Sequence, residues 1–138
     1  MNYGKHISTL KFAVLLLCIS AFAVSVNAQN GTWVWMHGSN MSNAVGNYGT
    51  QGVAAATNDP PAMYETTELV DLNGKFWIFG GLDNNFAEQT ALWKFDPLTN
   101  MWTWMKGPSA AQQSGVYGVQ GVPAPGNYPG SRAWGVMS

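Results

Sequence analysis

The chain has 138 residues, of which only 9% are charged and 13% are aromatic. That balance favours short strands, turns and aromatic packing over charged helices. All seven acidic residues lie beyond residue 28, against Lys75, Lys94, Lys106 and Arg132. This part therefore carries a net charge of −3 with no basic cluster, which excludes nucleic acid as a partner.

Residues 1–28 read as a secretory signal peptide. Lys5, His6 and Lys11 form a basic start, Phe12–Val24 is an apolar run, and Val26-Asn27-Ala28 offers small residues for cleavage after Ala28. The run is shorter than the about 20 apolar residues a bilayer span needs, so no stable membrane span is expected after cleavage. The only cysteine, Cys18, lies inside the run, so the mature chain would hold no disulfide. The expected location is secreted, periplasmic or at the cell surface.

Beyond the leader, Thr32–Met36 is an alternating, β-prone segment, followed by a loop from His37 to about Met63 rich in Gly, Asn, Ser and Pro. Glu65–Leu72 reads as a strand, and Asn73-Gly74 predicts a two-residue type I′ hairpin turn into Lys75–Phe79. Phe76 and Ile78 fall on one face of that second strand and Trp77 and Phe79 on the other, so it needs cover on both sides. Gly80-Gly81 ends it where a side chain would obstruct the chain. The polar connection Leu82–Thr90 leads to a third strand, and Asp96-Pro97-Leu98-Thr99-Asn100 turns it into a fourth.

The chain also repeats itself. Trp33-Val34-Trp35-Met36-His37-Gly38 matches Trp102-Thr103-Trp104-Met105-Lys106-Gly107 at an offset of 69 residues. Without a gap, the same offset places Tyr48-Gly49-Thr50-Gln51-Gly52-Val53 on Tyr117-Gly118-Val119-Gln120-Gly121-Val122, Asn58 on Asn127 and Pro60 on Pro129. Loops longer than about 12–15 residues are usually functional or disordered. One that recurs with its Tyr-Gly-x-Gln-Gly-Val intact reads as an ordered elaboration.

Glu65–Gly107 resembles one blade of a kelch-repeat β-propeller, in the galactose oxidase central-domain-like superfamily. The resemblance rests on the double glycine Gly80-Gly81 after the second strand, on Trp93 and Phe95 in the third, and on Trp102 in the fourth. Trp33 would repeat the role of Trp102, and Pro129-Gly130-Ser131-Arg132 resembles the start of a following blade. The resemblance implies an all-β fold: an antiparallel four-stranded blade with partial flanking blades, an incomplete β-propeller. Residues 29–64 would hold the fourth strand of a preceding or closing blade and its long loop, 65–107 the complete blade, and 108–138 a second loop and the start of another. The 110 residues after the leader hold about 1.6 repeats, whereas propellers close with 4–8 blades. The expectation is therefore the first part of a longer protein.

The superfamily implies one chemistry to test, a copper oxidase centre built on histidines and a tyrosine joined to cysteine. After residue 28 there is no cysteine and His37 is the sole histidine, and one imidazole does not make a copper site. His37 reads as a solvated loop residue. The tryptophans Trp33, Trp35, Trp77, Trp93, Trp102 and Trp104 read as core rather than as sugar platforms, because they lie in strands and repeat. Asp83, Asn84, Asn85 and Glu88 in Leu82–Thr90 are the candidate binding loop, with oxygen donors suited to a glycan hydroxyl or a cation but not spaced as an EF-hand. No catalytic constellation, cofactor motif or metal site stands out. The function expected is a scaffold for a protein or glycan at the cell surface. The alternative is a galactose oxidase-like carbohydrate-active enzyme with its catalytic residues elsewhere.

Overall fold

The computed structural model describes residue 31 and residues 33–137. The leader, Cys18 and the cleavage position after Ala28 lie outside the described residues. The chain divides into two compact units, Met1–Val34 and Trp35–Ser138, and every strand among the described residues belongs to the second. The described residues form an all-β structure with no helix. Among them, no helix is long and apolar enough to cross a membrane.

Five strands, β1 (Ala54–Ala55), β2 (Thr67–Val70), β3 (Phe76–Phe79), β4 (Leu92–Asp96) and β5 (Met101–Lys106), make one antiparallel sheet in the order β1-β5-β4-β3-β2. The sheet is not closed. Strands β2 to β5 form the expected four-stranded meander, whereas β1 arises inside the first long loop. That loop folds back so that Ala54 and Ala55 pair with Thr103 and Trp102 along the outer edge of β5. A sheet edge is a row of unpaired backbone groups, and this short strand covers part of it.

The side-chain period of two explains the core. Trp93 pairs with Ile78 and Trp104, and Phe95 with Phe76 and Trp102, so all six share one face. Trp93 is fully buried, with the ring of Trp102 set edge-on at 6.3 Å, and Phe95 lies 5.0 Å from Trp102. The opposite face carries Trp77, Phe79, Leu92 and Lys94, with the Lys94 ammonium 5.6 Å from the Trp77 ring. β3 is thus apolar on both faces, as its sequence requires. Met105 is an extra residue on β5, because Leu92 pairs with Lys106 while Trp93 pairs with Trp104. This bulge keeps Trp104 on the Trp93 face and swings Lys106 to the other.

Three expectations need correction. The β2–β3 connection is not a type I′ turn, since only Gly74 takes positive φ. Asp71 accepts N–H bonds from Asn73 (2.8 Å) and Lys75 (3.0 Å) through one carboxylate oxygen, and the Gly74 N–H bonds the Asp71 carbonyl at 2.9 Å. These bonds close a three-residue loop ending in a left-handed glycine, a common alternative to the two-residue form. Second, Trp33–Met36 is not a strand, and Trp33 and Trp35 are exposed rather than core. The counterpart Trp102–Met105 is a strand because β4 lies beside it; among the described residues Trp33–Met36 has no such neighbour. Third, His37 is not solvated. Its side chain is only 13% exposed, with Nδ1 3.7 Å from the Asp59 carboxylate and its ring edge-on to Phe95 at 6.1 Å.

Gly80 and Gly81 have φ of +68° and +102°, in the region that favours glycine. A side chain on Gly80 would strike the Arg132 carbonyl, and one on Gly81 would strike Thr66 and the Tyr64 carbonyl. The pair therefore lets three chain segments converge at one end of the sheet.

Candidate functional site

That end of the sheet carries the connection Leu82–Thr90 and two long loops, L1 (residues 37–66) and L2 (residues 107–137). The two loops fold alike at the 69-residue offset seen in the sequence. In L1 the backbones of Asn47 and Asp59 exchange hydrogen bonds at 2.8 and 2.9 Å, and in L2 those of Val116 and Tyr128 do the same at 2.9 and 2.8 Å. The bond from Ala62 N–H to the Ala44 carbonyl (2.9 Å) recurs as Ser131 to Gln113 (2.8 Å). Asn58 Nδ2 donates to the Val53 carbonyl at 2.8 Å, and Asn127 Nδ2 to Val122 at 3.3 Å. Left-handed residues repeat as well: Asn43 with Gln112, Gly49 with Gly118, Gly52 with Gly121, and Glu65 with Trp134. Gly49 and Gly118 are needed because a Cβ there would collide with the amide oxygen of Asn58 or Asn127.

Leu82–Thr90 stands between these loops. Asp83 organises it: Oδ1 accepts the N–H groups of Asn85 (2.8 Å) and Ala87 (2.9 Å), and Oδ2 accepts Gln89 Nε2 at 3.3 Å. The Asp83 carboxylate is thereby used in building the turn, whose ends Leu82, Gln89 and Thr90 are buried. Asn84 and Asn85 are exposed at the tip. Glu88 is partly exposed, and its carbonyl accepts the Gln112 N–H at 2.7 Å, tying the turn to L2. The four sequence candidates therefore share one turn, but they do not converge on a common point as ligands would. Among the described residues no group of three or more His, Cys, Asp or Glu side chains is placed to hold a metal ion.

An open cleft lies on each side of the turn. One, of about 300 Å³, runs between Asp83, Asn85 and the L1 residues Asn43, Ala44 and Ala62. The other, of about 540 Å³, runs between Phe86, Glu88 and the L2 residues Gln112, Gln113 and Ser131. The L1 and L2 walls are the same positions of the repeat. Aromatic side chains that the sequence reading did not single out stand at these clefts. Phe86 is 75% exposed with a left-handed backbone, and Tyr64 meets its ring edge-on at 6.2 Å. Trp134 lines the larger cleft and is 67% exposed. Phe86 was legible as the one aromatic in a polar turn; Trp134 needed the repeat to be carried five residues past Pro129. The only formal charges lining the two clefts are the carboxylates of Asp83 and Glu88, so the surface suits hydroxyl and amide donors rather than anions.

A third, almost wholly apolar cavity of about 220 Å³ lies between Phe79, Leu92, Tyr128 and Met137, where L2 covers the second face of the sheet. Arg132 lies over Phe79 beside it, with the guanidinium 5.9 Å from the ring.

No protein-family model, curated protein or solved structure matches this chain.

Proposed function

We propose that the chain is an exported, kelch-type β-propeller segment that binds a protein or glycan at the cell surface. The binding face would be the rim formed by Leu82–Thr90 between L1 and L2. The observation that carries this reading is the exposure of Phe86 and Trp134 beside the Glu88 carboxylate and glutamine amides in the larger of two clefts walled by one loop fold used twice. Flat aromatic faces with polar rims suit both sugar rings and peptide backbone, and loops on a rigid sheet are where binding residues concentrate. The kelch assignment is supported by the four-stranded meander with its Gly80-Gly81 and Trp93/Trp102 pattern.

The test is a glycan array and a panel of cell-surface proteins, probed with the full chain and with Phe86→Ala and Trp134→Ala. One specific ligand lost in both variants is expected. Absence of any ligand, or a ligand indifferent to both substitutions, overturns the reading. Export predicts a mature protein whose N-terminal residue, by sequencing, is Gln29.

A further inference from the structure

L1 and β5 form a joint that occurs once among the described residues, where both of its halves also recur unjoined. In the joint, the Gly52 N–H donates to the Trp104 carbonyl at 2.8 Å. Asn58 Nδ2 donates to the Trp102 carbonyl at 3.1 Å, and Gln51 Nε2 to the Gly107 carbonyl at 3.4 Å. The Tyr48 ring lies 5.2 Å from Trp104 and 4.9 Å from Trp93. L2 presents the same donors on the same backbone as Gln120, Gly121 and Asn127, beside Tyr117, which is 69% exposed. A shallow depression of about 590 Å³ lies between Tyr117 and Asn127. The strand half recurs as Trp33–Gly38, where Trp35 is 61% and Met36 53% exposed.

We propose that this face of L2 receives the Trp33–Gly38 segment of a second copy of the chain, joining copies head to tail. The repeat specifies the contacts. Gly121 N–H donates to the Trp35 carbonyl, Asn127 Nδ2 to that of Trp33 and Gln120 Nε2 to that of Gly38, with the Tyr117 ring against Trp35. Neither Trp33–Gly38 nor Tyr117–Asn127 contains a Lys, Arg, Asp or Glu, and the Lys106 ammonium that reaches the L2 segment is already bonded to the Pro125 carbonyl. β5 of a second copy is a poorer occupant because its own β1 already covers that edge. Pro123 stands where L1 has Ala54 and lacks an N–H, so the edge pairing is weaker here. The Tyr117, Gly121 and Asn127 contacts carry the joint. Two different patches meet, so the contact is heterologous and a joined pair keeps one free half of each kind, one on each copy.

Sedimentation of the purified full chain over a range of concentrations tests this, with two one-sided variants. Tyr117→Ser/Asn127→Ala blocks the L2 half, and Trp33→Ser/Trp35→Ser blocks the strand half; neither touches the Trp93 core, and matching melting curves verify the fold. The wild type is expected to grow beyond dimers. Each variant alone is expected to stay monomeric, with self-association weakened at least tenfold, while an equal mixture forms a one-to-one dimer. A synthetic peptide of residues 30–39 is expected to bind the strand-blocked variant and not the L2-blocked one. A monomeric wild type, variants that associate as well as the wild type, or a mixture that stays monomeric overturns the proposal.

Discussion

L1 and L2 share one backbone but meet different surroundings. L1 lies against β5 and the aromatic face of the sheet: Tyr48 packs on Trp93, and Asn58 is almost fully buried. L2 repeats the internal hydrogen bonds and left-handed residues, yet Tyr117, Val119 and Val122 are exposed. The loop conformation is therefore set from within, by the asparagine amide, the glycines and a pair of backbone bridges. Packing on the sheet is a separate, additional event. A loop with its own bonds can remain a binding wall wherever it is placed, which is how one fold lines both clefts.

The sharpest way to break this comparison is to damage the face that L1 alone uses. Trp93→Ala removes a fully buried indole flanked by Tyr48 and Trp102. Phe/Trp→Ala changes at such sites cost about 3–5 kcal/mol, and chemical denaturation should record a loss of that size. Hydrogen exchange on the variant should show Asn47 and Asp59 losing protection with the sheet, while Val116 and Tyr128 change less. Equal loss in both loops would mean that L2 depends on the sheet as much as L1 does.

A finer cut is the asparagine pair. Asn58 and Asn127 make the same bond inside their loops, but Asn58 also donates to the Trp102 carbonyl and is 1% exposed. Asn58→Ala leaves that part-buried carbonyl without its amide donor and empties a fully buried site, at a cost of about 1–3 kcal/mol. Asn127 is half-buried and makes only the bond within its loop, so Asn127→Ala should cost less, about 0.5–1 kcal/mol. The difference between the two, read from paired denaturation curves, measures what docking adds to the loop.

The contrast also explains which features could be read from the sequence. The Tyr-Gly-x-Gln-Gly-Val repeat announced two similar loops, because the glycines and the asparagine that set the conformation are local and lie in the motif. The strand positions of Trp93, Trp102 and Trp104 likewise announced core residues. Burial of one copy and not the other was not legible, since it depends on what stands alongside. Trp102 has β4 for a neighbour and Trp33 does not, although their motifs match. His37 misled through its counterpart, Lys106, which as a cation suggested solvent; in place it lies between Asp59 and Phe95. At Asn73-Gly74 the dipeptide signal was overridden by the Asp71 carboxylate, two residues upstream. In the candidate turn, Asp83 was legible as polar but not as already committed to Asn85, Ala87 and Gln89.

The smallest effect expected is electrostatic and falls at the opposite end of the sheet, which separates it from both loops. Asp71 is held below the usual carboxyl range by the Trp77 indole N–H at 2.8 Å and then by the Lys75 N–H. Asp96 is held below it by the Lys75 ammonium at 2.7 Å, with help from the Leu98 N–H. Because folding lowers both pKa values, their stabilising effect is complete above the unfolded value of about 3.9. It is lost as the pH falls through the lower folded values. Melting temperature should therefore be insensitive to these two groups near neutrality and decline below about pH 4. Asp71→Asn and Asp96→Asn should lower the melting temperature modestly at pH 7 and flatten that acid decline. The intra-loop bonds of Asn58 and Asn127 involve neutral amides and carbonyls, so at pH 3 exchange protection should fall first at Lys75 and Leu98 and persist at Val53 and Val122. Earlier loss in the loops would mean that their conformation is borrowed from the sheet rather than held by their own bonds.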